Sequence, residues 1–216
     1  MKKKFVLCLF VLCVPPSMSF ATLVSGPFTT TTPIASTLTD WSSSLQFQKF
    51  NSALGNLTKV QIDLTGSMTT VLTVKNVSST LPSSGNAKTE IRMTVQDSGG
   101  NLNFPEIDLL SSAFAYHNLG AGQTVTSGNL TINGSSSDQY TAAAVLAEFT
   151  GPGTIALPAN TFTLTWLTNT GGNTVASQVT SAQLNGTVTY FYEAVPEPAT
   201  MLLLSLGGLM LRKSRK

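Results

Sequence analysis

An all-β fold, an antiparallel β-sandwich set between an N-terminal signal peptide and a short C-terminal transmembrane helix, follows from three features of this 216-residue chain. Apolar residues alternate with Thr, Ser, Lys or Gln through the middle of the sequence, the period of a strand with one buried face. Clusters of Gly, Asn, Ser and Pro cut that middle into short pieces, as turns between strands do. The continuous apolar runs lie at the two ends, each beside a group of cations.

At the N-terminus, Lys2-Lys3-Lys4 followed by Phe5 to Val14 has the charged start and ~10-residue apolar centre of a secretory signal peptide. Ser19-Phe20-Ala21 puts small residues where signal peptidase cuts, so residues 1–21 are read as a signal for the Sec machinery, removed after Ala21. A membrane span is excluded by length and by Pro15-Pro16, which end a helix. Both cysteines, Cys8 and Cys13, fall in this run, each preceded by Leu, whereas a lipoprotein site needs a small residue there. Loss of the signal leaves a cysteine-free chain, which excludes disulfides, thiolate nucleophiles and thiolate-bound metals.

Residues 22–193 form the sandwich domain. Its strands are marked in order by Leu45-Phe47, by Val60, Ile62 and Leu64, by Met68 to Val77, by Ile91-Met93-Val95, by Phe162-Leu164-Trp166 and by Val188-Tyr190-Tyr192. Turns are expected at 51–55, 82–86, 98–101, 133–134, 151–153 and 171–173. Roughly nine to eleven strands result, and two packed sheets bury one side of each. Val60, Ile62, Leu64, Ile91, Met93, Val95, Phe162, Leu164 and Trp166 are expected to line one core, so that Leu164→Asp unfolds the domain and Thr163→Asp is tolerated. Ala142 to Phe149 is rich in helix formers but runs into Gly151-Pro152-Gly153, and reads as a strand or a brief helical turn.

The C-terminus carries Pro196-Glu197-Pro198, then Met201, Leu202, Leu203, Leu204, Leu206, Leu209, Met210 and Leu211, then Arg212, Lys213, Arg215 and Lys216. Counted from Ala199 the apolar span is about thirteen residues, against the ~20 a helix needs to cross ~30 Å of hydrocarbon. It is a marginal anchor. The four cations form a cytoplasmic stop under the positive-inside bias, which leaves Pro-Glu-Pro at the outer face of the inner membrane. An ordinary single-span anchor that is never cut is the plain alternative. The order of these parts in residues 194–216 resembles the PEP-CTERM sorting signal of Gram-negative bacteria. That resemblance implies processing by exosortase, an integral-membrane cysteine transpeptidase-like enzyme. It also implies an inner-membrane intermediate and a final place at the cell surface or in the extracellular polysaccharide matrix.

Charge follows the same division. Three of the twelve cations lie in the signal and four in the tail, which leaves Lys49, Lys59, Lys75, Lys88 and Arg92 against ten acids between Asp40 and Glu197. The exported part is acidic, and no basic patch is left for nucleic acid. Leu45 to Gly66, with its Phe50-Asn51-Ser52-Ala53-Leu54-Gly55-Asn56-Leu57 link, resembles the opening of the choice-of-anchor E family. Phe149 to Pro158 and Leu184 to Tyr192 are similar to that family's later segments. The resemblance implies a secreted sandwich on an interchangeable anchor, and brings no catalytic residues.

Chemistry-bearing constellations are sparse. His117 is the single histidine, and no Gly-x-Ser-x-Gly elbow occurs. Glu106 and Asp108 stand two apart on an extended segment, as a glycosidase pair or a solvated edge. The loops Asp97 to Asn101 and Asn133 to Asp138 offer hard oxygen ligands for calcium, or ordinary turns. Trp41, Tyr116, Tyr140, Trp166, Tyr190 and Tyr192 could stack on sugars; Trp166 is placed in the core and Trp41 is the freer to be exposed. Asn56, Asn76, Asn129, Asn133 and Asn185 head Asn-x-Ser/Thr triplets, read as chance. The chain reads as a surface or matrix protein without catalytic residues, cofactor or metal. A carbohydrate-binding module for exopolysaccharide is the alternative reading, and an enzyme the third.

Overall fold

Alternation in the body becomes two antiparallel sheets in the computed structural model, which describes residues 22–97, 99–102 and 106–195. The signal segment with Ala21, the Pro196-Glu197-Pro198 motif, the anchor and the cationic stop lie outside the described residues. The first sheet holds β1 (Thr22–Thr29), β2 (Ile34–Leu38), β4 (Gly55–Asn76), β8 (Thr124–Thr126), β9 (Leu130–Tyr140) and β11 (Thr174–Ala194). The second holds β3 (Ser42–Gln48), β5 (Ser83–Val95), β6 (Ile107–Leu110), β7 (Phe114–Leu119) and β10 (Thr154–Gly171).

Long central pairs set the frame. β4 and β11 pair along their whole length; β1 and β2 follow one another on the outer side of β11, and β8 and β9 on the outer side of β4. In the second sheet β10 and β5 pair from Ala159 to Gly171, with β3 beside the first half of β10 and β6 and β7 beside β5. The expected alternation holds in β3, β4, β5 and β11, whose Leu45, Phe47, Val60, Ile62, Leu64, Ile91, Met93, Val95, Val188 and Tyr190 are all buried. Each such aliphatic chain withdrawn from water contributes about 1.5–3 kcal/mol.

Two apolar clusters fill the sandwich. The larger gathers Phe47, Phe50, Phe149 and Tyr190; the smaller holds Leu72, Val74, Ala87, Tyr116 and Leu119. Between them the buried Thr70 hydroxyl lies 3.1 Å from that of Thr89 and 2.7 Å from that of Thr180. This hydroxyl seam ties the sheets together without leaving an unpaired donor.

Two expectations are corrected, and a third is decided between its two alternatives. Phe162, Leu164 and Trp166 do not line the core: they are 57%, 41% and 56% exposed. The inward phase of β10 is set upstream by Leu157 and Ala159, both fully buried, and the strand continues without a register shift. The next inward positions are therefore Thr161 and Thr163, and Leu164→Asp and Thr163→Asp exchange their expected effects. The turns expected at 82–86 and 133–134 are strand, because β5 begins at Ser83 and Asn133-Gly134 lies inside β9. Ala143–Phe149 is α1, a short helix that buries Val145 and Phe149 one turn apart.

Candidate functional site

The outer face of the second sheet carries an apolar row beside a charged one. Register places Phe162 opposite Arg92, Leu164 opposite Glu90 and Trp166 opposite Lys88. Arg92 and Glu90 in turn face Asp108 and Leu110 of β6. Trp166 Nε1 donates to Glu90 Oε2 at 2.8 Å, which fixes the angle of an exposed indole. Asn86, Lys88, Glu90, Leu110, Trp166 and Thr168 line a shallow hollow of about 350 Å³ there. A fixed, solvent-facing indole ringed by amide, ammonium, carboxylate and hydroxyl groups can stack on a flat apolar surface and hydrogen-bond around its rim.

A second concavity, of about 710 Å³, lies on the outer face of the first sheet, lined by Thr65, Ser67, Asn133, Ser135, Gln183 and Asn185 among others. It is made where β4 and β9 come close to side chains of the opposite sheet. A Cβ on Gly66 would come within 2.7 Å of Met93 Sδ, and one on Gly134 within 2.5 Å of Leu109 Cδ2. A larger residue at either place would push Met93 or Leu109 aside, so glycine suits this close approach. The groove offers hydroxyls and amides, and no charge.

Most residues singled out from the sequence are engaged in holding the fold. Tyr190 is fully buried and its hydroxyl donates to Gln48 O at 2.5 Å; burial pushes its phenol well above the ordinary range. Tyr140 is buried too, and burial, followed by the charge of Asp138, raises its phenol likewise. Tyr116 Oη lies 3.2 Å from Thr168 O. Trp41 packs half-buried against the larger cluster with its indole N–H buried and unpaired. Of the two tryptophans, the one placed in the core is outside and the one expected outside is packed. His117 is exposed on β7.

The acids show the same pattern. Arg92 Nε stands 2.8 Å from Glu106 Oε2 and 3.2 Å from Asp108 Oδ1, so these carboxylates meet on one cation. Asp97 accepts from Asn101 N and Leu102 N, each at 2.9 Å. Burial opposes its charge, yet those two N–H groups prevail and hold the carboxyl below the usual range. Asn133 to Asp138 is strand, with Ser137 donating to Asp63. Asn76 is buried, its amide donating to Leu81 O and Leu119 O at 2.8 Å. Among the described residues no three His, Cys, Asp or Glu side chains converge as metal ligands.

Residues 194–216 match the PEP-CTERM protein-sorting motif. With it come exosortase as the processing partner and export, with membrane-associated sorting towards the cell surface. No curated protein matches the chain. Among solved structures, an infectious bursal disease virus Gt strain chain is 9% identical over 94% of this chain and 53% of its own, with a TM-score of 0.17. A chain of the T13 particle of the same virus is 10% identical over 97% and 51%, with a TM-score of 0.14. The chain thus spans about half the length of these viral chains, and scores so low lend them no weight.

Proposed function

We propose that the chain is an exported surface or matrix protein without enzymatic activity, delivered by its signal peptide and released after exosortase acts at Pro196-Glu197-Pro198. The observation that carries this is the sorting motif at residues 194–216 directly following a β-sandwich that ends at Ala194. The absence of catalysis is supported by the placement of the candidate groups. Glu106 and Asp108 are held by Arg92, Asp97 is held by backbone amides, and His117 is exposed on β7. Kinship of the body with the choice-of-anchor E family belongs to the same reading. In the native host the body should appear outside the cell without residues 199–216, and alanines at 196–198 should hold it in the inner membrane. Unchanged release of that variant overturns the sorting assignment.

A second reading is favoured by Trp166. Its exposed ring, fixed by Glu90 beside Lys88 and Asn86, suits a pyranose of the surrounding exopolysaccharide. The apolar C–H face of a pyranose packs on the indole face while its hydroxyls reach the polar rim. Exported protein titrated with exopolysaccharide from its own host should bind, and Trp166→Ala should weaken binding about ten-fold or more. Equal binding by both proteins removes this face as the sugar site.

A further inference from the structure

One flank of the sandwich is open in both sheets. Residues Thr39 to Trp41 cross from β2 to β3 as a strap: Thr39 N donates to Thr180 O at 3.0 Å, and Thr161 N donates to Trp41 O at 3.1 Å. Between the strap and the turn joining β10 to β11, no described strand pairs with the outer edge of β10 from Phe162 to Gly171, or of β11 from Thr174 to Val179.

The bare backbone groups can be named. In an antiparallel strand the N–H and C=O of one residue face one neighbour and those of the next residue face the other. Gly153 O and Thr161 N face the β3 side, whereas Pro158 O accepts from Gln96 N, next to β5. Because β10 keeps its register with β5 throughout, Thr163, Thr165, Leu167 and Asn169 direct their N–H and C=O groups into the open edge. Thr165 belongs to the inward phase and is nevertheless exposed, as a missing neighbour strand requires.

Edges of this kind are ordinarily guarded by a charge, a proline or a bulge. Here no Asp, Glu, Lys or Arg stands between Glu148 and Glu193, the open stretch holds no proline, and its pairing shows no bulge. We propose that this edge receives a second copy of the same chain, paired antiparallel through β10 so that two second sheets run on as one. Charge leaves room for this occupant. The exported part is acidic as a whole, so two copies repel over most of their surfaces, but the open stretches of β10 and β11 carry no charged residue, and the strap's Asp40 lies beyond them. The strap limits the register: Thr161 N is taken by Trp41 O, so a pair centred on Leu167, which sets Gly171 opposite Thr163, or nearer the Gly171–Thr174 turn, keeps each β10 clear of the other copy's Trp41. The interaction rests on the backbone edge and is independent of the sugar reading.

The exported protein recovered from its host, followed by sedimentation velocity over a rising concentration series, should show reversible monomer–dimer exchange. Thr165→Pro removes an N–H that faces the open edge and leaves the β5 ladder whole, so it should weaken association about ten-fold or more. Thr165→Lys adds the guarding charge at an exposed position and should do the same, and it decides alone if the proline variant fails to fold. A protein that stays monomeric at every concentration, or association unchanged in the folded variants, overturns the proposal. Capture of a foreign strand by a monomeric protein counts among the overturning results.

Discussion

Leu157 and Leu164 lie on one strand seven residues apart and face opposite ways. Leu157 is fully buried between the sheets, and Leu164 stands on the outer surface between Phe162 and Trp166. An aspartate at 157 places an unpaired charge in the larger cluster, a cost of several kcal/mol out of the ~5–15 that hold a domain. At 164 the same aspartate meets water beside Glu90 and should change stability by about 0.5 kcal/mol or less. Urea unfolding followed by fluorescence should therefore find Leu157→Asp unfolded, or nearly so, and Leu164→Asp close to the unaltered midpoint. The opposite ranking would place the core on the other face of β10. Period-2 alternation alone could not decide this, since Thr and Leu alternate in both phases, and the deciding residues, Leu157 and Ala159, precede the aromatic row. Trp166 was legible as an aromatic of interest, but not as an exposed one.

At the level of the elements, alternation located β3, β4, β5 and β11 because each buries one face of aliphatic or aromatic residues against the other sheet. It did not show that Leu57 to Leu64 and Met68 to Val77 are one strand. Thr65-Gly66-Ser67 looks like an interruption, yet Gly66 pairs with Leu184 and Gly134 inside an unbroken ladder. The same chemistry misled at Asn133-Gly134. Glycine there serves the close approach of Ile107 and Leu109 from the opposite sheet, a tertiary demand that a local reading of turn residues does not contain. α1 was accessible as an alternative only: its Ala-rich stretch has helix propensity, but the N-cap Ala142 makes no side-chain cap hydrogen bond, so its end is not signalled. The open edge of β10 was invisible for a related reason, because which strands neighbour it is a property of sheet order and not of its own sequence.

Across the whole molecule the first and last described residues lie at one corner. Thr22, the first residue after the expected cut, pairs with Glu193, and Glu193 pairs with Asn56 on the other side. Only Val195 separates β11 from Pro196. The first and last described strands, β1 and β11, thus end side by side, with Thr22 next to Glu193. The last turn of this arrangement is energetic: β11 is the spine of its sheet, bonded to β1, β2 and β4, and its Tyr190 ring lies 5.9 Å from Phe28, 5.6 Å from Phe50 and 6.4 Å from Phe149. Processing after the motif touches none of these contacts, whereas loss of the strand end removes a buried aromatic, at about 3–5 kcal/mol, together with the pairing of Tyr190 to Glu193 with Thr22 to Ser25 of β1. A chain of residues 22–198 should melt in one cooperative transition, and a chain of residues 22–189 should melt far lower or not fold, by circular dichroism. Equal midpoints for the two would mean that the domain closes without the end of β11, and that the sorting motif is not seated directly on the fold.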